Sequence, residues 1–132
     1  MKPLISIRLW CGLIVLCTAV FAEAGGPPIS AVLGKWVGTE NFPNGARLET
    51  IISLNPDASF SGSASVDKKP FWEYSGTWEF KDGKIIWTYV NSSRPLPDAA
   101  KVDVDEVLSA SDKELVLKSQ SSGKQHTYVR SQ

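Results

Sequence analysis

From residue 32 onward, apolar and polar side chains alternate in short runs, and turn residues separate the runs. "KWVGTE" leads into "NFPNG", whose Asn44-Gly45 pair is a hairpin signal. "ARLETIISL" puts Leu48, Thr50, Ile52 and Leu54 on one strand face and Arg47, Glu49, Ile51 and Ser53 on the other. After the turn "NPDAS", "SFSGSASV" alternates Phe60, Gly62, Ala64 and Val66 with small serines. "DKKP" breaks the chain before "FWEYSGTWEF", where Trp72, Tyr74, Trp78 and Phe80 share a face. Phe71, Glu73, Ser75, Thr77 and Glu79 take the opposite, mostly polar face. Lys81-Asp82-Gly83-Lys84 turns the chain tightly into "KIIWTYV". The longest connection, "NSSRPLPDA", has two prolines and no periodicity, and "AKVDVDEVLS", "KELVLKS" and "KQHTYVR" follow it.

Eight candidate strands at short, regular spacing predict an all-β domain, a barrel or a sandwich. Only "PDAAKVDVDEVLSA" is long enough to be mistaken for a helix, and its valines at period two favour a strand. Strands joined by short turns pair with their sequence neighbours, and closing the sheet removes its exposed edges. The expected architecture is therefore a single antiparallel up-and-down barrel of about eight strands, with a β-sandwich as the alternative.

Residues 1–24 stand apart from this pattern. Lys2 and Arg8 precede the apolar run "LWCGLIVLCTAVF", and Ala22-Glu23-Ala24 resembles a cleavage site. That is the layout of a secretory signal, and the run is shorter than the roughly 20 residues that span a bilayer. A periplasmic or secreted domain is expected, with 25–31 as a flexible Gly/Pro linker and 32–132 as the barrel. Lipoprotein signals need a small residue before the modified cysteine, whereas Trp10 and Leu16 precede Cys11 and Cys17, so lipid attachment is disfavoured. Both cysteines leave with the signal, so the exported part has no disulfide or thiol nucleophile. Setting aside Lys2, Arg8 and Glu23 from 14 basic and 14 acidic residues leaves 12 against 13, a net charge of −1. Such interspersed charge argues against a nucleic-acid partner.

Two glycines each precede a tryptophan by two positions, in Gly34-Lys35-Trp36 and Gly76-Thr77-Trp78. A glycine within a strand marks a bend, a bulge or a close backbone approach, and the tryptophan two positions on shares its face. With a final strand ending at Arg130, the order "LGKWVG … ISLNPDASFSG … YSGTWEFKDGKIIW … KELVL … TYVR" resembles short bacterial lipocalin-like (calycin-type) domains. The resemblance covers residues 32–130 and implies that Trp36 floors the barrel with Arg130 packed across its indole. Gly34, Trp36, Gly76, Trp78 and Arg130 are thus expected to close the barrel structurally. The sequence departs from the pattern at Asp57-Ala58, where the family has Asp-Gly, and lacks the disulfide and length of larger members.

No catalytic set stands out, and no enzyme, cofactor or metal site is expected. His126, the single histidine, alternates with Tyr128 and Arg130 and reads as a polar strand residue. Asp103 and Asp105 share a face opposite Val102 and Val104, the pattern of a solvated outer surface. Asn91-Ser92-Ser93 matches a glycosylation sequon. Trp72, Tyr74, Trp87 and Tyr89 lie on two strands joined by the Asp82-Gly83 turn and are the candidate ligand-binding residues. The expected function is non-enzymatic binding of a small, mostly apolar ligand within the barrel. The alternative is a protein-binding module, an inhibitor or immunity protein, that uses Phe42, Phe71 and the loop from Arg94 to Asp98.

Overall fold

The computed structural model describes residues 27–132. The expected signal over 1–24 lies outside the described residues. The eight strands are β1 (Gly34–Asn41), β2 (Arg47–Leu54), β3 (Ser59–Val66), β4 (Lys69–Lys81), β5 (Lys84–Ser92), β6 (Val102–Ala110), β7 (Glu114–Ser119) and β8 (Gln125–Arg130). Each pairs antiparallel with its neighbour in sequence, and β8 returns to β1, so the sheet is a closed up-and-down barrel. Eight strands enclose a space just wide enough for side chains or one small ligand.

The turns obey the chemistry of their residues. Asp82 and Gly83 both adopt positive φ between β4 and β5, and Asp67 and Lys68 do the same between β3 and β4. The "DKKP" break is thus a two-residue hairpin, and Pro70 falls inside β4 beside a bulge, where a missing N–H is tolerated. At the departure from the Asp-Gly pattern, Ala58 itself takes the left-handed conformation, with φ of 70°. Asp57 fixes that turn by accepting the Ser59 amide at 2.9 Å.

The core fills one end of the barrel. Trp36, Leu54, Phe60, Trp78, Ile85, Leu115 and Leu117 are buried there together with Val32 from the lead-in. Trp36 is 1% exposed and donates its indole N–H to the Val32 carbonyl at 2.9 Å. Trp78 donates likewise to the Asn55 carbonyl at 3.1 Å. The Arg130 guanidinium lies 4.2 Å from the Trp36 ring centroid and donates to the carbonyls of Leu33 (2.6 Å), Asp112 (2.8 Å) and Ala31 (3.2 Å). The cation thus lies over the indole and ties down the chain that enters β1. The stretch expected as a flexible linker over 25–31 accordingly ends in an ordered 3-10 turn, Ile29–Ala31, held by Arg130.

The two Gly-x-Trp glycines answer different needs. A Cβ at Gly34, where φ is 119°, would strike the Arg130 guanidinium. A Cβ at Gly76 would strike the Thr88 carbonyl of β5, at a bulge in the β4–β5 ladder. The first makes room for a side chain, and the second makes room for backbone.

The β1–β8 seam is the weakest join. Only Trp36↔Arg130, Val37↔Val129 and Gly38↔Tyr128 pair across it, against eight residue pairs between β1 and β2. Beyond Gly38 the seam parts, and a Lys124 Nζ–Glu40 Oε1 ion pair of 2.6 Å bridges it at the rim.

Candidate functional site at the open end of the barrel

The inward positions of β4 and β5 place Trp72, Tyr74, Trp87 and Tyr89 around one cavity of about 270 Å³ that opens to solvent. Trp78, directly opposite Trp87 in the β4–β5 ladder, faces inward too but does not line this cavity. The aromatic rings touch one another. Trp72 and Tyr74 have centroids 4.2 Å apart, Trp72 and Tyr89 stack at 5.9 Å, and Tyr74 meets Tyr89 edge-on at 5.5 Å. Phe60 marks the boundary with the core beneath, 5.0 Å from Trp87 and 5.5 Å from Tyr89. Such contacts fix ring positions before anything enters.

Two glycines on the opposite walls explain how the cavity stays open. Gly62 pairs with Tyr74 and Gly38 with Tyr128, and each tyrosine ring lies flat where a Cβ would otherwise project. Aromatic cover of a cross-strand glycine keeps a large ring against the wall instead of across the middle.

The other walls carry groups whose orientation differs from the expectation. Asp103 is directly opposite Trp87 and Asp105 opposite Ile85 in the β5–β6 ladder. Residues directly opposite share a face, and Trp87 and Ile85 face inward, so both carboxylates do as well. The solvated outer face expected of them belongs instead to Val102, which is 55% exposed. The physical reason is the period itself: Val107, buried inside, fixes Asp105 and Asp103 on its own face. The Trp87 indole N–H also requires an acceptor, and it donates to Asp105 Oδ2 at 2.9 Å. At the rim, Trp72 donates to Ser92 Oγ at 2.8 Å.

From β8, His126 and Tyr128 face the same cavity. Their inward direction follows from β7, since Leu117 pairs with His126 and Leu115 with Tyr128. Thr50, Ile52, Ser119 and Ser122 complete the lining. An adjoining cavity of about 250 Å³ occupies the parted β1–β8 seam and shares Thr50, His126 and Tyr128 with the first. A separate cavity of about 700 Å³ lies against Arg47, Glu49, Ser65, Asp67 and Lys68.

Burial shapes the ionisation of this cup. It pushes the Tyr74 hydroxyl up to about 12, and raises Tyr89 and Tyr128 further, with neighbouring Asp105 adding to both. All three tyrosines are therefore neutral hydrogen-bonding groups at physiological pH. Burial also raises the Asp105 carboxyl; the Trp87 hydrogen bond opposes that shift, the Asp103 charge adds to it, and His126 opposes it. Among the described residues no group of three or more His, Cys, Asp or Glu side chains converges as metal ligands would.

The loops at this end are also tethered. Arg94 stacks 3.7 Å from the Phe71 ring centroid and donates through Nε to the Phe71 carbonyl at 2.8 Å. Phe42 and Phe71 both stay exposed. Among the described residues no helix is long and apolar enough to cross a membrane. No protein-family model matches this chain, and no curated protein matches it significantly.

Proposed function

We propose that this domain is an exported, lipocalin-like binding protein without catalytic activity, which holds one small, mostly apolar ligand in the open end of its barrel. The observation that carries the reading is the solvent-open cavity of about 270 Å³ between Trp72, Tyr74, Trp87 and Tyr89. Pockets that bind small molecules combine aromatic walls with convergent polar groups, and here the four rings meet Asp103, Asp105, His126 and the hydroxyls of Thr50, Ser119 and Ser122. The resemblance of "LGKWVG" and "TYVR" to short lipocalin-like domains supports the same reading. Native mass spectrometry of the exported protein, recovered gently from its host, tests it. A bound mass of a few hundred daltons, lost on denaturation, is the expected result. A bare mass, with no quenching of Trp72 and Trp87 fluorescence by any extract fraction, would refute it.

A second reading, a protein-binding module, has one observation in its favour. Val90 is 67% exposed and Val102 55% exposed, both on the outer face beside the Pro-rich loop. A protein-sized adduct in the same spectrum, abolished by substitutions at Arg94 and Leu96, would move the function to this surface.

A further inference from the structure

Resting on the binding reading above, we propose that the ligand is an organic cation: an ammonium group set against Asp103 and Asp105, with a flat apolar body among the rings of Trp72, Trp87 and Tyr89. Two half-buried carboxylates line this cavity, beside a core whose buried residues are apolar. Even partial withdrawal of a charge from water carries a desolvation cost that pairing offsets. Among the described residues neither forms an ion pair, and the one basic side chain facing the same cavity is His126. The ion pairs among the described residues are Lys101–Asp98 and Lys124–Glu40, and His126 makes none with either aspartate. Asp105 Oδ2 accepts the Trp87 indole N–H, and Asp103 Oδ1 accepts the adjacent Val104 amide at 3.0 Å. The second oxygen of each has no protein donor among the described residues. Side by side on one strand face, the two charges also repel each other, which a ligand cation would relieve.

The same walls disfavour the other charge types. An acidic ligand needs an inward Arg or Lys, but Arg130 is committed to Trp36 and carbonyls at the far end, and Lys124 to Glu40 at the rim. A bare metal ion needs several converging ligands, and the described residues supply no such group. An organic ammonium needs only a carboxylate and aromatic faces, and both line this cavity.

The test compares three ligands of nearly equal shape, 2-phenylethylammonium, 2-phenylethanol and 3-phenylpropanoate, by tryptophan fluorescence and calorimetry. It uses the chain over 25–132 and the variants Asp103→Asn and Asp105→Asn. Asparagine retains an acceptor for Trp87 and for the Val104 amide, so both variants are expected to fold, which their far-ultraviolet spectra check. The expected order is ammonium over alcohol by about tenfold or more, with the carboxylate weakest. Either asparagine variant should collapse that preference to about threefold or less. Equal binding of alcohol and ammonium, or a preference that survives both variants, overturns the cation and leaves the cavity reading standing. Binding of none of the three at millimolar concentration overturns both.

Discussion

At the filled end, Trp36 and Trp78 donate their indole N–H groups to backbone carbonyls, those of Val32 and Asn55. At the open end, Trp72 and Trp87 donate to side chains, Ser92 Oγ and Asp105 Oδ2. The difference is chemical as well as positional. A carbonyl is an acceptor the fold always supplies, so the first pair is locked to main chain that any sequence would provide. A hydroxyl or a carboxylate can rotate, ionise or be shared with an incoming group, so the second pair is poised on adjustable partners. The same residue type thus braces one end and lines a cavity at the other, and the acceptor distinguishes the two.

The comparison is broken most severely at the filled end. Trp36→Ala empties the floor and removes the ring that the Arg130 guanidinium covers; it should cost about 3–5 kcal/mol in urea unfolding, enough to unfold much of the population. Gly76→Ala drives a methyl into the Thr88 carbonyl and should cost about 1–3 kcal/mol or more, whereas Gly83→Ala, with no atom nearby, should cost less. Trp72→Ala, at the half-buried rim, should stay folded with a loss of about 1–2 kcal/mol and bind the ligand at least tenfold more weakly. If Trp72→Ala and Trp36→Ala destabilise equally, the contrast between the ends fails.

Two smaller effects sharpen it. Ala58→Gly relieves a left-handed alanine at the filled end and should raise stability by about 1 kcal/mol, with binding unchanged. At the open end, Asp105 has its carboxyl raised by burial, so the folded state holds its proton to higher pH than the unfolded chain. Stability should therefore fall as pH rises from the ordinary carboxylate value through the raised one, and Asp105→Asn should flatten that slope in unfolding curves. Asp103, His126 and the Trp87 hydrogen bond act on the same group, so the slope reports the cup as a whole. A wild-type curve as flat as that of the variant would remove the ionic character assigned to this end.

The barrel was legible because its signals are local. Asn44-Gly45 and Asp82-Gly83 mark turns, and period-two runs such as Leu48 to Leu54 declare a face without reference to any other strand. The aromatic half of the cup was legible for the same reason: Trp72, Tyr74, Trp87 and Tyr89 sit on one hairpin. The acidic wall was not. In "VDVDEV" either face mixes apolar and charged residues, since Val102 and Val104 continue to Glu106 while Asp103 and Asp105 continue to Val107. Only the ladder with β5 and the buried Val107 decide between them. A readable hint existed in Trp87, an inward indole whose N–H needs an acceptor among apolar core residues. The tyrosine-over-glycine pairs were likewise invisible, because Gly38 and Tyr128 meet only when the last strand reaches the first.

The parted seam has a consequence for how the molecule moves. Three residue pairs, starting from Trp36↔Arg130 at the floor, and one exposed ion pair at the rim hold β1 to β8, while the other ladders are longer. Joining the chain's first and last strands is also the most sequence-distant contact in the fold, so it forms late and yields early. Thermal opening should therefore run like a zip from Glu40 downward toward Trp36, and the amides of Thr127 and Thr39 should exchange with solvent well before those of β3 and β4. The barrel can widen along that one line while its floor, riveted by Arg130, stays shut.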